Sequence, residues 1–191
     1  HNSNMSLIST HICKTSNVGF HGNLFGGTML AWLDEAGAIF ACEACDSPRM
    51  VTKSISEVVF EKPVRPGQII KIYGEVVRVG NTSITLRLEA RRHSVYNGSQ
   101  RKVLSTDMTF VRIDGDGEAI PISEKVRLKF SKLNGSKVIT TVSSANKKNI
   151  CKNLGADLIL NYKKYIDIFH KKRAKKMKDF FFNSLAYPRY T

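Results

Sequence analysis

The stretch HGNLFGGTMLAWLDEAGAIFACEAC (residues 21–45) contains a pair of glycines followed by a long segment that is almost free of charge. From Thr28 to Cys45 it has one glycine, no proline and only three charged residues. A helix that is apolar nearly all round is typical of a protein core. The sequence therefore predicts a buried helix over residues 28–45 that carries a carboxylate, Asp34, in its middle. Pro48 disfavours helical geometry at the residue before it and ends the helix.

Segments rich in β-branched residues lie on both sides of this helix. In one of them Ile84, Leu86 and Leu88 alternate with polar neighbours, which is the pattern of a half-buried strand. One long helix followed by a meander of antiparallel strands indicates the α+β class, with a curved sheet that wraps the helix. The predicted strands cover residues 5–13, 50–61, 69–79, 83–92 and 101–113.

The net charge of +14 is unevenly distributed along the 191 residues. Residues 1–126 carry 14 Lys+Arg and 13 Asp+Glu residues, whereas residues 127–191 carry 16 and 3. We therefore predict a domain over residues 1–126 and a basic extension over residues 127–191. The four cysteines are too scattered for a disulfide framework, and no apolar run approaches the roughly 18 residues of a membrane span. These features indicate a cytoplasmic protein with reduced thiols.

Three motifs in order carry a family resemblance: NLFGGTMLxWLDEAGA from Asn23, VTxSIxxVxFxxPVxxG from Val51, and VGNTSI from Val79. Over about residues 6–122 the chain resembles the hotdog-fold acyl-CoA thioester hydrolases. The resemblance implies a long helix wrapped by an antiparallel sheet, a dimer of two such units, and hydrolysis of acyl-CoA to free fatty acid and CoA. It also implies a role in fatty acid metabolism, without a nucleophilic serine and without a cofactor beyond the CoA of the substrate.

The opening stretch offers the groups that thioester hydrolysis requires. Asp34 is the candidate general base or nucleophile, and Asn23 is a polar donor before the helix. The first amides of a helix have no partner within it, so those of Gly26, Gly27 and Thr28 are candidate donors to an oxyanion. Gly26 and Asp34 are eight residues apart, or about 12 Å along a helix. Asp34 is thus expected to work with the glycines of an antiparallel partner helix, and the family resemblance implies the same shared site.

Other interpretations of these residues stay open. Asp34 could be a solvated or ion-paired residue, Asn23 a helix cap, and the paired glycines a flexible loop. His21 is interpreted as an exposed loop residue, and the pair Cys42 and Cys45 as buried thiols, with no metal site expected.

Coenzyme A carries phosphates, so its site is expected to be basic. The turn Gly80, Asn81, Thr82 and Ser83 carries the family support, since its amides and hydroxyls can bind phosphate. Basic side chains on the predicted strands and turns are further candidates, although a solvated strand face explains each of them as well: Lys53, Lys62, Arg65, Arg87 and Arg91.

The last third differs from the rest of the chain. Residues 136–164 resemble a strand–helix–strand fragment of the nucleotide domain of quinone reductases, with Ser143, Ser144 and Lys147 where such enzymes can meet the NADP phosphate. The glycine-rich phosphate loop GxGxxG is missing, so a remnant without binding function is predicted. Residues 163–191 mix basic residues with three phenylalanines, which predicts a solvated tail with at most weak binding to anionic surfaces and no specific nucleic-acid partner.

The sequence thus predicts an acyl-CoA thioesterase that forms a dimer or a dimer-based oligomer. Two alternatives belong to other classes. One is a hotdog module that binds acyl-CoA without turnover, and the other is a nucleic-acid or membrane adaptor that acts through the basic tail.

Overall fold

A computed structural model describes residues 5–134, 139–142, 144–153 and 158–161 of the chain. The chain divides into two compact units, His1–Gly135 and Ser136–Thr191. The boundary predicted between residues 126 and 127 stays a prediction.

The first unit is a five-stranded antiparallel sheet with one long helix against it. The strand order is β1-β3-β4-β5-β2, so β1 and β2 are the edges. This arrangement confirms the predicted α+β class. The elements are β1 (Ser6–Ile12), α1 (Gly26–Cys45), β2 (Met50–Ile55), β3 (Ile69–Val79), β4 (Ser83–His93), β5 (Gln100–Arg112) and a short helix α2 (Glu124–Lys129), together with 3₁₀ turns at Thr15–Asn17 and Ser131–Asn134.

The core lies between α1 and the inner face of the sheet. Met29 and Leu33 of α1 are fully buried, as are Leu86 and Leu88 of β4. Gly37 permits the close approach, because a methyl group there would lie 2.7 Å from the ring of Phe110. The helix is therefore held directly on β4 and β5.

One side of α1 differs from the prediction of a helix buried all round. Residues spaced by four along it are exposed, and they form one stripe on the helix surface. Ile39 in this stripe is 53% exposed, which is unusual for a large apolar residue in the middle of a helix. The sheet of one chain therefore does not cover all of the apolar surface of α1. The stripe consists of Gly27, Ala31, Glu35, Ile39 and Glu43.

Two element boundaries also differ from the prediction. α1 begins at Gly26, not at Thr28, because the carbonyl of Phe25 already accepts the amides of Thr28 and Met29 at 3.0 and 3.2 Å. β2 ends at Ile55, whereas residues up to 61 were expected in it. Beyond Ile55 the chain still follows β5 through isolated hydrogen bonds at Ser56 and Glu61, but no regular ladder continues.

The exposed edge β2 and the segment that follows it carry apolar side chains. Val51, Ile55, Val59 and Phe60 are all between 41% and 57% exposed. An apolar edge strand with unpaired backbone groups favours pairing with another chain.

The second unit contains two parallel strands, β6 (Ile139–Val142) and β7 (Leu158–Asn161), joined by the helix α3 (Ala145–Asn153). Ser144 accepts the amide of Lys147 at 3.3 Å, which is the bond of a helix cap. Ser144 therefore has a structural role that needs no nucleotide. Ser143 and the basic tail from residue 162 onward lie outside the described residues.

A chain ending at Gly135 is expected to keep the melting temperature of the full-length protein within a few degrees, because the first unit has its own core. A chain ending at Ser123 also loses α2 with its buried Val126. It should be less stable by about 2 kcal/mol, the cost of exposing a side chain of that size. Thermal unfolding of the three chains measures this, and an insoluble chain ending at Gly135 would show that the last third is needed for folding.

Candidate active site

A pocket of about 440 Å³ opens at the start of α1. Two of the predicted site residues, Asn23 and Gly26, line it. The other lining residues come from the loop before α1, from α1 and from the segment after β2: His21, Leu24, Met29, Phe60, Glu61, Lys62, Pro63 and Val64.

Backbone amides without an acceptor among the described residues stand at the start of α1, where Gly26 lines this pocket. Within the described part of the chain, the amides of Gly26 and Gly27 donate to no acceptor. The amide of Thr28, by contrast, donates to the carbonyl of Phe25. Two of the three predicted amide donors are thus free, and both stand at the positive end of the helix dipole.

The loop before the helix is held by its own backbone. The amide of Asn23 donates to Nδ1 of His21 at 3.2 Å, and its carbonyl accepts the amide of Gly19 at 2.9 Å. The N-cap of α1 is Phe25, so Asn23 does not cap the helix. Its side-chain amide makes no hydrogen bond to another described residue and lies at the pocket wall. The exposed His21 orients the loop through the Asn23 amide.

Asp34 lies on α1 beside β2. Its carboxylate accepts a hydrogen bond from the hydroxyl of Thr52, and the side chain is half-buried. No Lys or Arg of the described residues forms an ion pair with it, so the ion-paired interpretation does not apply there. Thr52 stands in the VTxSI motif, but its role cannot be predicted from the sequence, because its contact with the helix depends on how β2 packs against α1.

The two groups of residues are separate within one chain. Asp34 does not line the pocket that contains Asn23 and Gly26. Eight residues of helix place the carboxylate about 12 Å from the start of α1. One chain therefore presents two half-sites, one with free donors and one with a carboxylate.

The turn Gly80–Ser83 is held by the end of β5 and by the segment that follows β5. The Gly80 amide donates to the carbonyl of Ser83 at 2.7 Å, and the carbonyls of Asn81 and Thr82 accept the amides of Ile122 and Arg112. The guanidinium of Arg127 donates to Oδ1 of Asn81 at 3.3 Å. The turn is thus fixed and has a cation beside it.

The five basic candidates for CoA binding differ in their surroundings. Arg87 is paired with Asp107 at 3.0 Å, and this hydrogen bond raises the pKa of the guanidinium. Arg91 is paired with Glu89 at 2.9 Å. Carboxylates already compensate the charges of these two arginines. Lys62 lines the pocket at α1. Lys53 and Arg65 are exposed.

The cysteines of the first unit are free thiols. Burial raises the pKa of Cys45 to about 11, so this thiol is protonated and unreactive at neutral pH. Cys13 is also buried, and Cys42 is half-buried. In the described part of the chain, no group of three or more metal-ligating side chains lies close together. None of the described helices is long and apolar enough to cross a membrane.

Comparison with known proteins identifies the fold and the family. A model of the thioesterase superfamily matches residues 21–97. An uncharacterized acyl-CoA thioester hydrolase of Buchnera aphidicola is 32% identical over 124 residues, which are 62% of this chain and 91% of the relative.

Solved structures agree with this match. A hexameric hotdog fold thioesterase of Campylobacter jejuni has a TM-score of 0.59 and 38% identity, over 68% of this chain and 96% of its own. An acyl-CoA hydrolase of Staphylococcus aureus, solved with butyryl-CoA and CoA, has a TM-score of 0.58 and 26% identity, over 62% of this chain and 71% of its own. The chain belongs to the hotdog-fold acyl-CoA thioester hydrolases of the thioesterase superfamily.

The hydrogen bond from Thr52 to Asp34 leads to a first test of the site. Thr52→Val keeps the shape of the side chain and removes the donor. A hydrogen bond to a charged group contributes about 1.5–3 kcal/mol, so kcat/KM for an acyl-CoA should fall about 10- to 100-fold. Ser54→Ala, on the same exposed strand, is the matched control. Equal rates for the two variants would show that Thr52 does not orient Asp34.

Proposed function

We propose that the chain hydrolyses acyl-CoA thioesters to a free fatty acid and CoA, with Asp34 as general base or nucleophile. The observation that carries the proposal is the pair of free amides at Gly26 and Gly27, of which Gly26 lines a pocket together with the unbonded side chain of Asn23. Such donors fit the oxygen of a thioester carbonyl as it gains negative charge.

The donors at the start of α1 would act mainly in the transition state. The carbonyl oxygen becomes an oxyanion when a nucleophile adds to the carbon, and fixed amides bind an oxyanion better than a neutral carbonyl. The helix dipole adds a favourable potential at the same place. Removing one such donor in an enzyme typically costs about 10²- to 10³-fold in rate.

Asp34 would supply the second requirement, an activated attacking group. As a base, its carboxylate takes a proton from water while the water oxygen bonds to the carbonyl carbon. Collapse of the tetrahedral intermediate then breaks the carbon–sulfur bond, and the CoA sulfur leaves with a proton. As a nucleophile, the Asp34 carboxylate would bond to the carbonyl carbon while the carbon–sulfur bond breaks and the CoA thiolate leaves, and water would then hydrolyse the resulting anhydride to the fatty acid and free Asp34. Both routes use the orientation that Thr52 gives to the carboxylate.

The proposal includes a dimer with two shared sites. One chain contributes Asp34 and Thr52, and its partner contributes Asn23, Gly26 and Gly27. The separation of the two half-sites supports this, as do the exposed stripe on α1 and the apolar edge at β2. The hexameric relative of Campylobacter jejuni is compatible with assembly from such dimers.

Further parts of the proposal concern the substrate and its setting. The turn Gly80–Ser83 with Arg127 beside it is proposed to bind phosphates of CoA, and no cofactor is invoked.

A cytoplasmic location is proposed because Cys13, Cys42 and Cys45 are free thiols. The tail from residue 162 is proposed to have no specific partner.

Asp34→Asn tests the central residue of this proposal. The change is nearly isosteric and removes the base or nucleophile, so the rate of hydrolysis should fall by about 10²- to 10⁴-fold. Release of free thiol from a panel of acyl-CoAs measures the rate, and unchanged thermal unfolding shows that the fold is kept. Asp116→Asn, which changes an exposed carboxylate in the turn after β5, is the matched control and should retain activity. Near-wild-type turnover by Asp34→Asn would refute the assignment.

A further inference from the structure

Four strands reach one end of the sheet in a single row. The residues aligned there are Ile12 of β1, Ile69 of β3, His93 of β4 and Gln100 of β5. Beyond this row lie the loop from β1 to α1, the turn before β3 and the hairpin between β4 and β5. The Gly67 amide donates to the Cys13 carbonyl at 2.7 Å and so joins the first two of these segments. We call residues 12–27, 62–71 and 91–102 the hairpin end.

The charged residues of the hairpin end are all basic. Its three segments contain eight Lys and Arg residues and no Asp or Glu, although residues 1–126 as a whole contain 14 and 13. Carboxylates outside the segments compensate two of the eight, since Arg91 pairs with Glu89 and Lys102 pairs with Glu61. The other six form no ion pair within the described part of the chain: Lys14, Lys62, Arg65, Lys71, Arg92 and Arg101. This end of a nearly neutral domain therefore attracts anions.

Large apolar side chains protrude from the same end. Tyr96 at the tip of the β4–β5 hairpin is 96% exposed, Val95 beside it is 66% exposed, and Ile12 is 54% exposed. Val95 and Tyr96 line a cavity of about 290 Å³ together with Ile69, the strand neighbour of Ile12. Phe20, on the loop from β1 to α1, is fully exposed. Single exposed apolar residues are common on protein surfaces, whereas several of them together mark an interaction site.

An anionic lipid bilayer fits this combination of charges and apolar side chains better than a nucleic acid does. Aromatic rings can stack on bases, but the aliphatic Ile12 and Val95 find no apolar surface on a phosphate backbone. In the boundary between headgroups and acyl chains, aliphatic side chains leave water while neighbouring cations contact lipid phosphates. The ring of Tyr96 suits the same boundary, since it has an apolar body and a polar hydroxyl.

We propose that the hairpin end binds the surface of an anionic lipid bilayer, with Val95 and Tyr96 inserted between the headgroups. Arg92 and Arg101, which lie opposite each other and line the same cavity, would contact lipid phosphates. In the antiparallel dimer proposed above, the two hairpin ends point in opposite directions, so each dimer contacts a flat bilayer through one of them. The contact is therefore reversible and is weakened by salt.

Two tryptophan variants of the full-length chain separate this surface from the basic tail. Tyr96→Trp places a fluorophore at the tip of the hairpin, and Leu7→Trp places one on a half-exposed apolar residue at the other end of β1. Both are mixed with vesicles of phosphatidylcholine and phosphatidylglycerol whose acyl chains carry bromine, which quenches tryptophan on contact. Trp32, the single native tryptophan, gives the same background in both variants.

The expected result is quenching of Tyr96→Trp and not of Leu7→Trp, with release when the salt is raised from about 0.1 M to about 1 M. Vesicles of brominated phosphatidylcholine alone should quench neither variant. Equal quenching of the two variants, or quenching of neither by the anionic vesicles, would overturn the proposal, because the hairpin end would then not be the part that inserts. A changed oligomeric state of Tyr96→Trp would overturn it in favour of an interface between copies of the chain.

Arg101→Gln tests the charge, since Arg101 is exposed and forms no hydrogen bond or ion pair with another described residue. Its partitioning onto the anionic vesicles should fall about 5-fold, the effect of one cation near an anionic membrane surface. Arg49→Gln, at the opposite end of the sheet, is the matched control and should partition like the wild type. Partitioning of Arg101→Gln equal to that of Arg49→Gln, with weaker binding to a DNA duplex, would overturn the bilayer in favour of a nucleic acid.

Discussion

Helix α1 holds the free amides of Gly26 and Gly27 eight and seven residues away from Asp34, or about 10–12 Å along a rigid axis. The amides and the carboxylate would both have to contact the same thioester carbonyl, which is far shorter than this separation. One chain therefore cannot present both groups to the same carbon. The half-sites are complementary in chemistry, because one has donors without an acceptor and the other has a carboxylate with one donor, Thr52. The proposed antiparallel pairing of two helices follows from this constraint.

The rest of the first unit keeps this helix in place. Gly37 allows α1 to lie directly on Phe110 and Leu88, so the helix has little freedom to shift against the sheet. The packing also positions Thr52 of β2 next to Asp34. Meanwhile the exposed stripe on α1 and the apolar edge at β2 are left uncovered. The surfaces that a second chain would cover therefore border both half-sites.

The local elements could be predicted from the sequence, whereas contacts that depend on strand register could not. The apolar run after the paired glycines predicts α1, and the alternation of Ile84, Leu86 and Leu88 predicts β4. The end of β2 at Ile55 cannot be predicted from the sequence, because the β-branched Val58 and Val59 follow soon after it and the chain still follows β5 without a regular ladder. The bond from Thr52 to Asp34 joins residues that are 18 positions apart and depends on how β2 packs against α1.

The most direct test of the shared site mixes two inactive variants, Asp34→Asn and Asn23→Ala, under conditions in which subunits exchange. If the site is shared across a two-fold axis, half of the randomly formed dimers combine both variants and have one intact site of two, so activity should recover to about one quarter of the wild-type value. Each variant mixed with itself is the control. A mixture that forms mixed dimers and stays as inactive as its components would contradict the shared site.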